Sequence, residues 1–398
     1  MKTSFIKSEF FMLLALITSV IFLAVFPADI ILPALPLIAN DFNITVPELS
    51  PSVSLYLVVF GFSTLIFGPL SDRIGRKKAL ITGLLMAFIG GLLCRFSENY
   101  TTFLIGRFIE AAGAASFIIV HAIVRDRYTG KVAHNLRIFI TTLSGIFIAL
   151  APAVGASLIT FFSWKAIFNM FLVFTLISVM LSLLTIKENE SVNASPDLNN
   201  EKSDSIMNIH FMFFNLVGAL SFTFHFNFIV ASPQIFMQEF GYSVGNFSKI
   251  MVLYGFSYLL AGAASTKISN KYGKLVQFKV GAIIIFLSHI PLSALFIINN
   301  PFIYIGSMIF LTMGVSMVMS SALSLSLDSC SSSVAGKAMT AISLTRFCIG
   351  GCITTYGGLV MYQMNLGFLF VSLGCLMLLL LSLLGLRYLN NSRLDFII

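Results

Sequence analysis

Ser71-Asp72-Arg73-Ile74-Gly75-Arg76 lies between two apolar runs, and Ser269-Asn270-Lys271-Tyr272-Gly273-Lys274 lies between two others, 198 residues further on. In each, a small residue leads to a base, a glycine and a second base. Gly75 lets the chain turn tightly where a side chain would be strained. Asp72 is suited to cap a helix end or to pair with a base on a neighbouring helix. The same short loop recurring at one offset predicts an internal repeat.

The runs around these loops are long. A helix needs about 20 apolar residues to cross a bilayer core. Segments near that length fall at 10–36, 49–70, 79–97, 102–124, 138–162 and 165–186, then at 209–231, 247–268, 277–298, 302–327, 338–361 and 364–389. Of the 398 residues, 58% are hydrophobic and 10% charged, and the mean hydropathy is +0.96. A soluble domain carries about 25% charged residues. The expected fold class is therefore an all-α membrane protein of twelve transmembrane helices in two six-helix bundles. The bundles are assigned to residues 1–187 and 209–398, joined by a polar, Asn/Ser/Glu-rich cytoplasmic linker at 188–208. Paired halves of this kind are common in secondary transporters, with the substrate site at the repeat interface. The first run, Phe10 to Pro36, outlasts the apolar core of a signal peptide, and no small-x-small site follows it. It reads as an uncleaved first helix.

With both termini inside, 19 of the 24 basic residues fall in cytoplasmic loops and tails; Arg95, Lys165 and Lys249 fall outside, and Arg107 and Arg346 within spans. This bias orients the chain. It also accounts for the net charge of +8 without a nucleic-acid partner, since the inner leaflet itself attracts bases. The five cysteines form no CxxC and no Cys/His ligand spacing, so they read as small buried hydrophobes, and no metal is expected. No GxxxxGK[ST] loop occurs. A chain without that phosphate cradle must draw on an ion gradient for uphill movement. No other cofactor is implied.

Gly68-Pro69-Leu70-Ser71-Asp72-Arg73-Ile74-Gly75-Arg76-Lys77-Lys78 resembles the signature loop of the major facilitator superfamily. Three further runs resemble its drug/proton antiporter branch, especially the Bcr/CflA-like exporters. They are Pro27 to Pro36 around Asp29, Arg107 to Ala115 followed by Ala122-Ile123-Val124-Arg125-Asp126, and Ala151-Pro152-Ala153-Val154-Gly155. Ala231-Ser232-Pro233 with Gln238 to Gly241 is a fainter match. The chain departs from the pattern at His121, where these exporters often have Arg, at Ala156 for a second Gly, at Asn270 for the acid of the repeated loop, and at Arg346, where an uncharged residue is usual. The resemblance implies a conformational switch at Gly68, Asp72, Arg73, Gly75, Arg76, Arg125 and Asp126, and an antiporter motif at Pro152 and Gly155. It implies a multi-pass protein of a bacterial inner membrane that handles small molecules and protons amid lipid, as a monomer.

Ionisable groups inside a bilayer are costly and tend to be functional. Asp29, Arg107, Glu110 and Arg346 are the clear cases. Asp29 and Arg107 lie at similar depth and are expected to pair across a central cavity, with Glu110 tuning a proton site. Pro27, Pro33 and Pro36 interrupt the helix around Asp29. His225, Asn227 and Arg346 are candidate cavity residues, ahead of His289 and His121. The leading expectation is a proton-coupled exporter of small amphipathic molecules, drug or siderophore, working by alternating access. Uptake of a nutrient by the same fold is a second reading, and a polytopic enzyme or non-transporting sensor a third. Cysteines placed at Ser191 and Asn99 report the orientation. An impermeant reagent outside intact cells should label position 99 and spare 191, and the reverse result would invert the topology.

Overall fold

The computed structural model describes residues 2–186, 208–294, 300–330 and 335–363. These are helical, with no strand among the described residues. The helices are α1 (Lys2–Asp29), α2 (Leu35–Asp41), α3 (Val46–Leu49), α4 (Pro51–Ile74), α5 (Arg76–Arg95), α6 (Tyr100–Ala114), α7 (Ile118–Arg127), α8 (Gly130–Phe161), α9 (Lys165–Thr185), α10 (Ile209–Pro233), α11 (Val244–Tyr272), α12 (Lys274–Ala294), α13 (Pro301–Asp328) and α14 (Ala335–Gln363). Ten helical stretches are long and apolar enough to cross a membrane, from Glu9–Asp41 to Pro301–Asp328, and α14 carries a shorter apolar stretch, Ala338–Ile353. The first eleven expected segments thus each meet a helix. The twelfth, at 364–389, and the linker at 188–208, apart from Asn208, lie outside the described residues.

The chain is a multi-pass membrane protein, and its surface shows why. Phe62, Ile66, Phe108, Leu184 and Phe302 are exposed on helices whose other faces are packed. In hydrocarbon such side chains are at home, and the helical backbone satisfies its own polar groups.

Two compact units are present, Met1–Glu201 with Ser243–Val252, and Lys202–Tyr242 with Leu253–Ile398. In the first, α1 ends at Asp29 after Pro27, continues through a 3-10 turn at Leu32–Ala34 and resumes as α2. Thr45 and Glu48 cap α3 reciprocally, with Glu48 Oε2 accepting from the Thr45 N–H at 2.7 Å. Asn99 caps α6 by accepting from the Thr102 N–H at 2.9 Å. Between α4 and α5, Gly75 has φ 92°, and between α11 and α12, Gly273 has φ 88°. Both loops of the repeat therefore turn through a conformation that favours glycine.

Glycines also set how closely helices approach. A Cβ on Gly90 would stand 2.2 Å from the Glu110 nitrogen, and one on Gly113 2.2 Å from the Ala87 nitrogen. In the second unit, a Cβ on Gly314 would meet the Gly281 carbonyl at 2.8 Å. Gly281 stands 198 residues after Gly83, whose own Cβ would collide with Ser116, so the repeat extends into the packing. Small residues at such crossings let backbones touch without hydrocarbon between them. Gly113→Val should force α5 from α6, costing about 3 kcal/mol, read as a lower Tm in detergent. Gly68→Ala, where a Cβ meets nothing within 4 Å, is the neutral control; equal Tm values for the two would contradict this packing account.

A buried charge site and a basic latch

Arg107 is 1% exposed and sits on α6 facing the rest of its unit. Its Nη1 pairs with Glu110 Oε2 at 2.8 Å, one turn along the same helix. Its Nη2 donates to the Pro27 carbonyl of α1 at 3.3 Å, and its guanidinium lies 4.1 Å from the centre of the Tyr56 ring on α4. Cys94 of α5 places its thiol 3.9 Å from Glu110 Oε2 and 3.6 Å from the Phe103 carbonyl. One ion pair thus engages four helices. The expected partnership of Arg107 with Asp29 does not form. Glu110 holds the guanidinium, because an i,i+3 acid on its own helix is reached without any movement of α1.

Asp29 is 5% exposed at the end of α1 and has no hydrogen bond or ion pair among the described residues. Pro33 supplies no N–H to the Asp29 carbonyl, so the helix opens there. Gly155 of α8 packs directly on the break, since a Cβ there would lie 2.0 Å from the Ile30 carbonyl oxygen. Pro152 lies three residues earlier inside α8. The antiporter motif and the acid are therefore neighbours, separated in sequence but not in space. A crevice beside them is lined by Phe22, Phe26, Pro27, Ile30, Arg107 and Glu110, with the α9 face from Ile167 to Phe171.

The signature loop builds a latch around Arg76. Its Nε donates to Asp126 Oδ2 at 2.9 Å, and its Nη1 reaches both Ser71 Oγ and Asp72 Oδ1 at 2.5 Å. Asp72 thus links the end of α4 to the start of α5 with its carboxylate largely exposed, while the sheltered bond is Arg76 to Asp126, which joins the start of α5 to α7. Arg125 adds a contact to Asp126 Oδ1 at 3.1 Å, and Arg73 is exposed. Gly68 contributes its carbonyl, accepting from Ser71 Oγ at 2.8 Å. Lys77 and Arg127 donate to the Leu183 and Thr185 carbonyls at the end of α9, where a helix presents unpaired acceptors. The repeat has its own version: Lys274 pairs with Asp328 at the end of α13 at 2.5 Å, fully on the surface side, while Gln277 is buried and donates to Ser265, Ser320 and the Met317 carbonyl.

In the second unit, His225 and Asn227 are buried on α10. His225 Nε2 lies 2.6 Å from the Tyr254 hydroxyl, and its ring is 5.7 Å from that of Tyr258. Arg346 is half-buried on α14, with its Nε buried and unpartnered. His289 Nδ1 contacts the Ile285 carbonyl and its ring meets Phe224; His121 lies against Phe117. Tyr56, Tyr254, Tyr258, Asp328 and Gln277 were not foreseen. A tyrosine within an apolar run carries no mark of its partner. Nor are the cysteines uniformly buried hydrophobes: Cys94 bonds Glu110, and Cys352 is exposed.

A multi-pass helical bundle with an internal repeat, a buried acid and a buried ion pair is the build of a membrane carrier. The chain belongs to the Major Facilitator Superfamily, matching it over residues 17–355. That is a family of transporters and not of enzymes. It is 30% identical over 242 residues to the "Multidrug resistance protein MdtL" of Shigella dysenteriae serotype 1 (strain Sd197) and to that of Escherichia coli O157:H7. The match covers 60% of this chain and 62% of the length of those relatives. Among solved structures, the D-xylose-proton symporter superposes with a TM-score of 0.75 at 14% identity, covering 94% of this chain and 96% of that one. The POT family transporter PepTSo does so with 0.73 at 12%, covering 96% and 98%. These share the fold.

Removing one member of the Arg107–Glu110 pair should be worse than removing both. Glu110→Leu leaves a buried guanidinium uncompensated, at a cost of about 3 kcal/mol or more. The double variant Arg107→Leu/Glu110→Leu should recover part of the lost Tm. A double variant no more stable than Glu110→Leu alone would show that the pair is not the unit of stability.

Proposed function

We propose that the protein is a proton-coupled exporter of small amphipathic organic molecules, and that Asp29 carries the proton. The observation that carries this reading is the contrast between two buried acids of one unit. Glu110 has its cation and a thiol donor, while Asp29 has neither a cation nor a donor among the described residues. An ionised carboxylate in apolar surroundings without a partner is costly, and a proton removes that cost. Loss of the proton would make Asp29 a second anion near the α1 break. Arg107 already reaches that break through the Pro27 carbonyl, and its buried Nε–H has no acceptor. The guanidinium then has two carboxylates competing for it. That competition can move α1 against α6, and Gly155, with no side chain against Ile30, lets α8 follow.

The two halves, 1–187 and 209–398, act as six-helix bundles that alternate access, with 188–208 as a cytoplasmic linker and both termini inside a bacterial inner membrane. The basic loops support that orientation. Arg76 with Asp126 and Asp72 forms the latch that one conformation makes and the other releases. The relatives' printed role in multidrug resistance favours export of amphipathic compounds, here by a single copy of the chain.

Asp29→Asn keeps the shape of the side chain but cannot exchange a proton. In inverted vesicles with an imposed pH gradient, it should abolish uphill accumulation of fluorescent dyes, while downhill exchange persists. Asp29→Glu should retain part of the coupling. Full uphill transport by the Asn variant, at matched expression, would remove Asp29 as the carrier.

A further inference from the structure

Among the described residues, the second unit contains a cation, Arg346, that no carboxylate pairs with. From residue 208 to residue 363 the chain has two carboxylates, Glu239 and Asp328. Glu239 closes the π-turn at the end of α10, and Asp328 ends α13 in its bond to Lys274. Arg346 lies in the middle of the apolar stretch Ala338–Ile353. At 1.5 Å per residue it is about 16 Å along α14 from the helix start. That is too deep for its head group to snorkel to an interface. It is nonetheless half-buried rather than sealed, and a guanidinium cannot present its open part to hydrocarbon. The exposed portion therefore faces a polar space or a ligand.

The side chains around it have the character of a receptor. Tyr258 of α11 is also half-buried and meets α10 one turn along from Phe222, the residue that touches Phe347. Its ring rests against His225, which the Tyr254 hydroxyl holds at 2.6 Å. Next to Arg346, Phe347 meets the edge of Phe222 at 5.5 Å, and Phe222 stacks on Phe226. A forked cation beside a phenol suits a carboxylate, and the flanking phenyl rings suit an aromatic body. We propose that Arg346 and Tyr258 form a subsite for the carboxylate of an amphipathic aromatic organic anion, whose ring lies against Phe222 and Phe347. This rests on the exporter reading and assigns it a substrate class.

Binding to the purified full-length protein tests it with no gradient applied, so failure of Asp29 as proton carrier leaves the measurement standing. The probes are 2-naphthoate, the neutral 2-naphthamide and the cationic 2-naphthylmethylamine, followed by calorimetry. The naphthoate should bind best. Arg346→Gln should weaken it by at least about tenfold, Arg346→Lys by less, and Tyr258→Phe by a few-fold, while naphthamide binding stays level across all four proteins. If Arg346→Gln is not monodisperse, the Lys and Phe variants carry the comparison. Absence of naphthoate binding, preference for the amine, or equal naphthoate binding by wild type and variants would each overturn the proposal.

Discussion

A guanidinium placed inside an apolar bundle must find acceptors, because the alternative is a charge abandoned in a medium that solvates it poorly. Arg107 finds them on its own helix in Glu110, on α1 in the Pro27 carbonyl, and over the Tyr56 ring on α4. The first unit is arranged around that requirement. Gly90 and Gly106 bring α5 against α6 so closely that Cys94 can offer its thiol to the same carboxylate. Because Glu110 is occupied, Asp29 is left without a cation among the described residues, at the break that ends α1. The glycine packing, the ion pair and the broken helix are one arrangement.

The two units share their turns but not their electrostatics. Gly75 and Gly273 adopt nearly the same positive φ, and each is followed by a base that pairs with an acid ending a helix two spans on. In the first unit the bond is sheltered, with the Arg76 side chain 7% exposed and that of Asp126 13%. In the second, Lys274 and Asp328 are 44% and 55% exposed. An exposed pair contributes little, a median near zero to about 1 kcal/mol. The second unit is instead held at this level by Gln277, whose amide donates to Ser265, Ser320 and the Met317 carbonyl. A neutral knot does not respond to a neighbouring charge as a charged latch does. On the proposed proton coupling, the asymmetry assigns the response to the first unit, which holds Asp29 and Glu110, the buried acids among the described residues.

Hydropathy made the helices legible, since crossing hydrocarbon leaves a 20-residue signature that no local propensity obscures. The first loop glycine was legible for a similar reason: few other residues occupy its φ. What could not be read was azimuth. Depth along a helix follows from counting, and Arg107 does reach the Pro27 carbonyl, two residues before Asp29. Which way each points depends on a break in α1 and on packing between helices. The pairing of Arg107 with Glu110 is settled by that direction. Arg76 and Asp126 were both marked by the family resemblance, but their bond spans 50 residues, and nothing in the sequence joins them. Tyr56 and Tyr258 were silent because a ring in an apolar run is indistinguishable from one facing lipid. Asp328 stands in Leu327-Asp328-Ser329, with no trace of the Arg125-Asp126-Arg127 setting of its counterpart.

The two ionisable groups left without a charge partner inside apolar helices, among the described residues, have opposite chemistry and lie in different halves of the sequence: an acid, Asp29, in the first and a base, Arg346, in the second. On the proposed exchange of a proton for an organic anion, this division has an energetic consequence. Each elementary charge moved across the membrane is worth about 2.3 kcal/mol per 100 mV. A proton entering and a monoanion leaving both carry positive charge inward, so one cycle gains about 4.6 kcal/mol per 100 mV from an inside-negative potential. An amphipathic cation leaving for one proton would gain nothing from that potential, since the two transfers cancel. A base in the substrate half thus suits the energy source as well as the ligand. A carrier that holds anions can draw on both the pH gradient and the potential with one titrating acid, and the first unit offers one, because its other buried carboxylate is committed to Arg107.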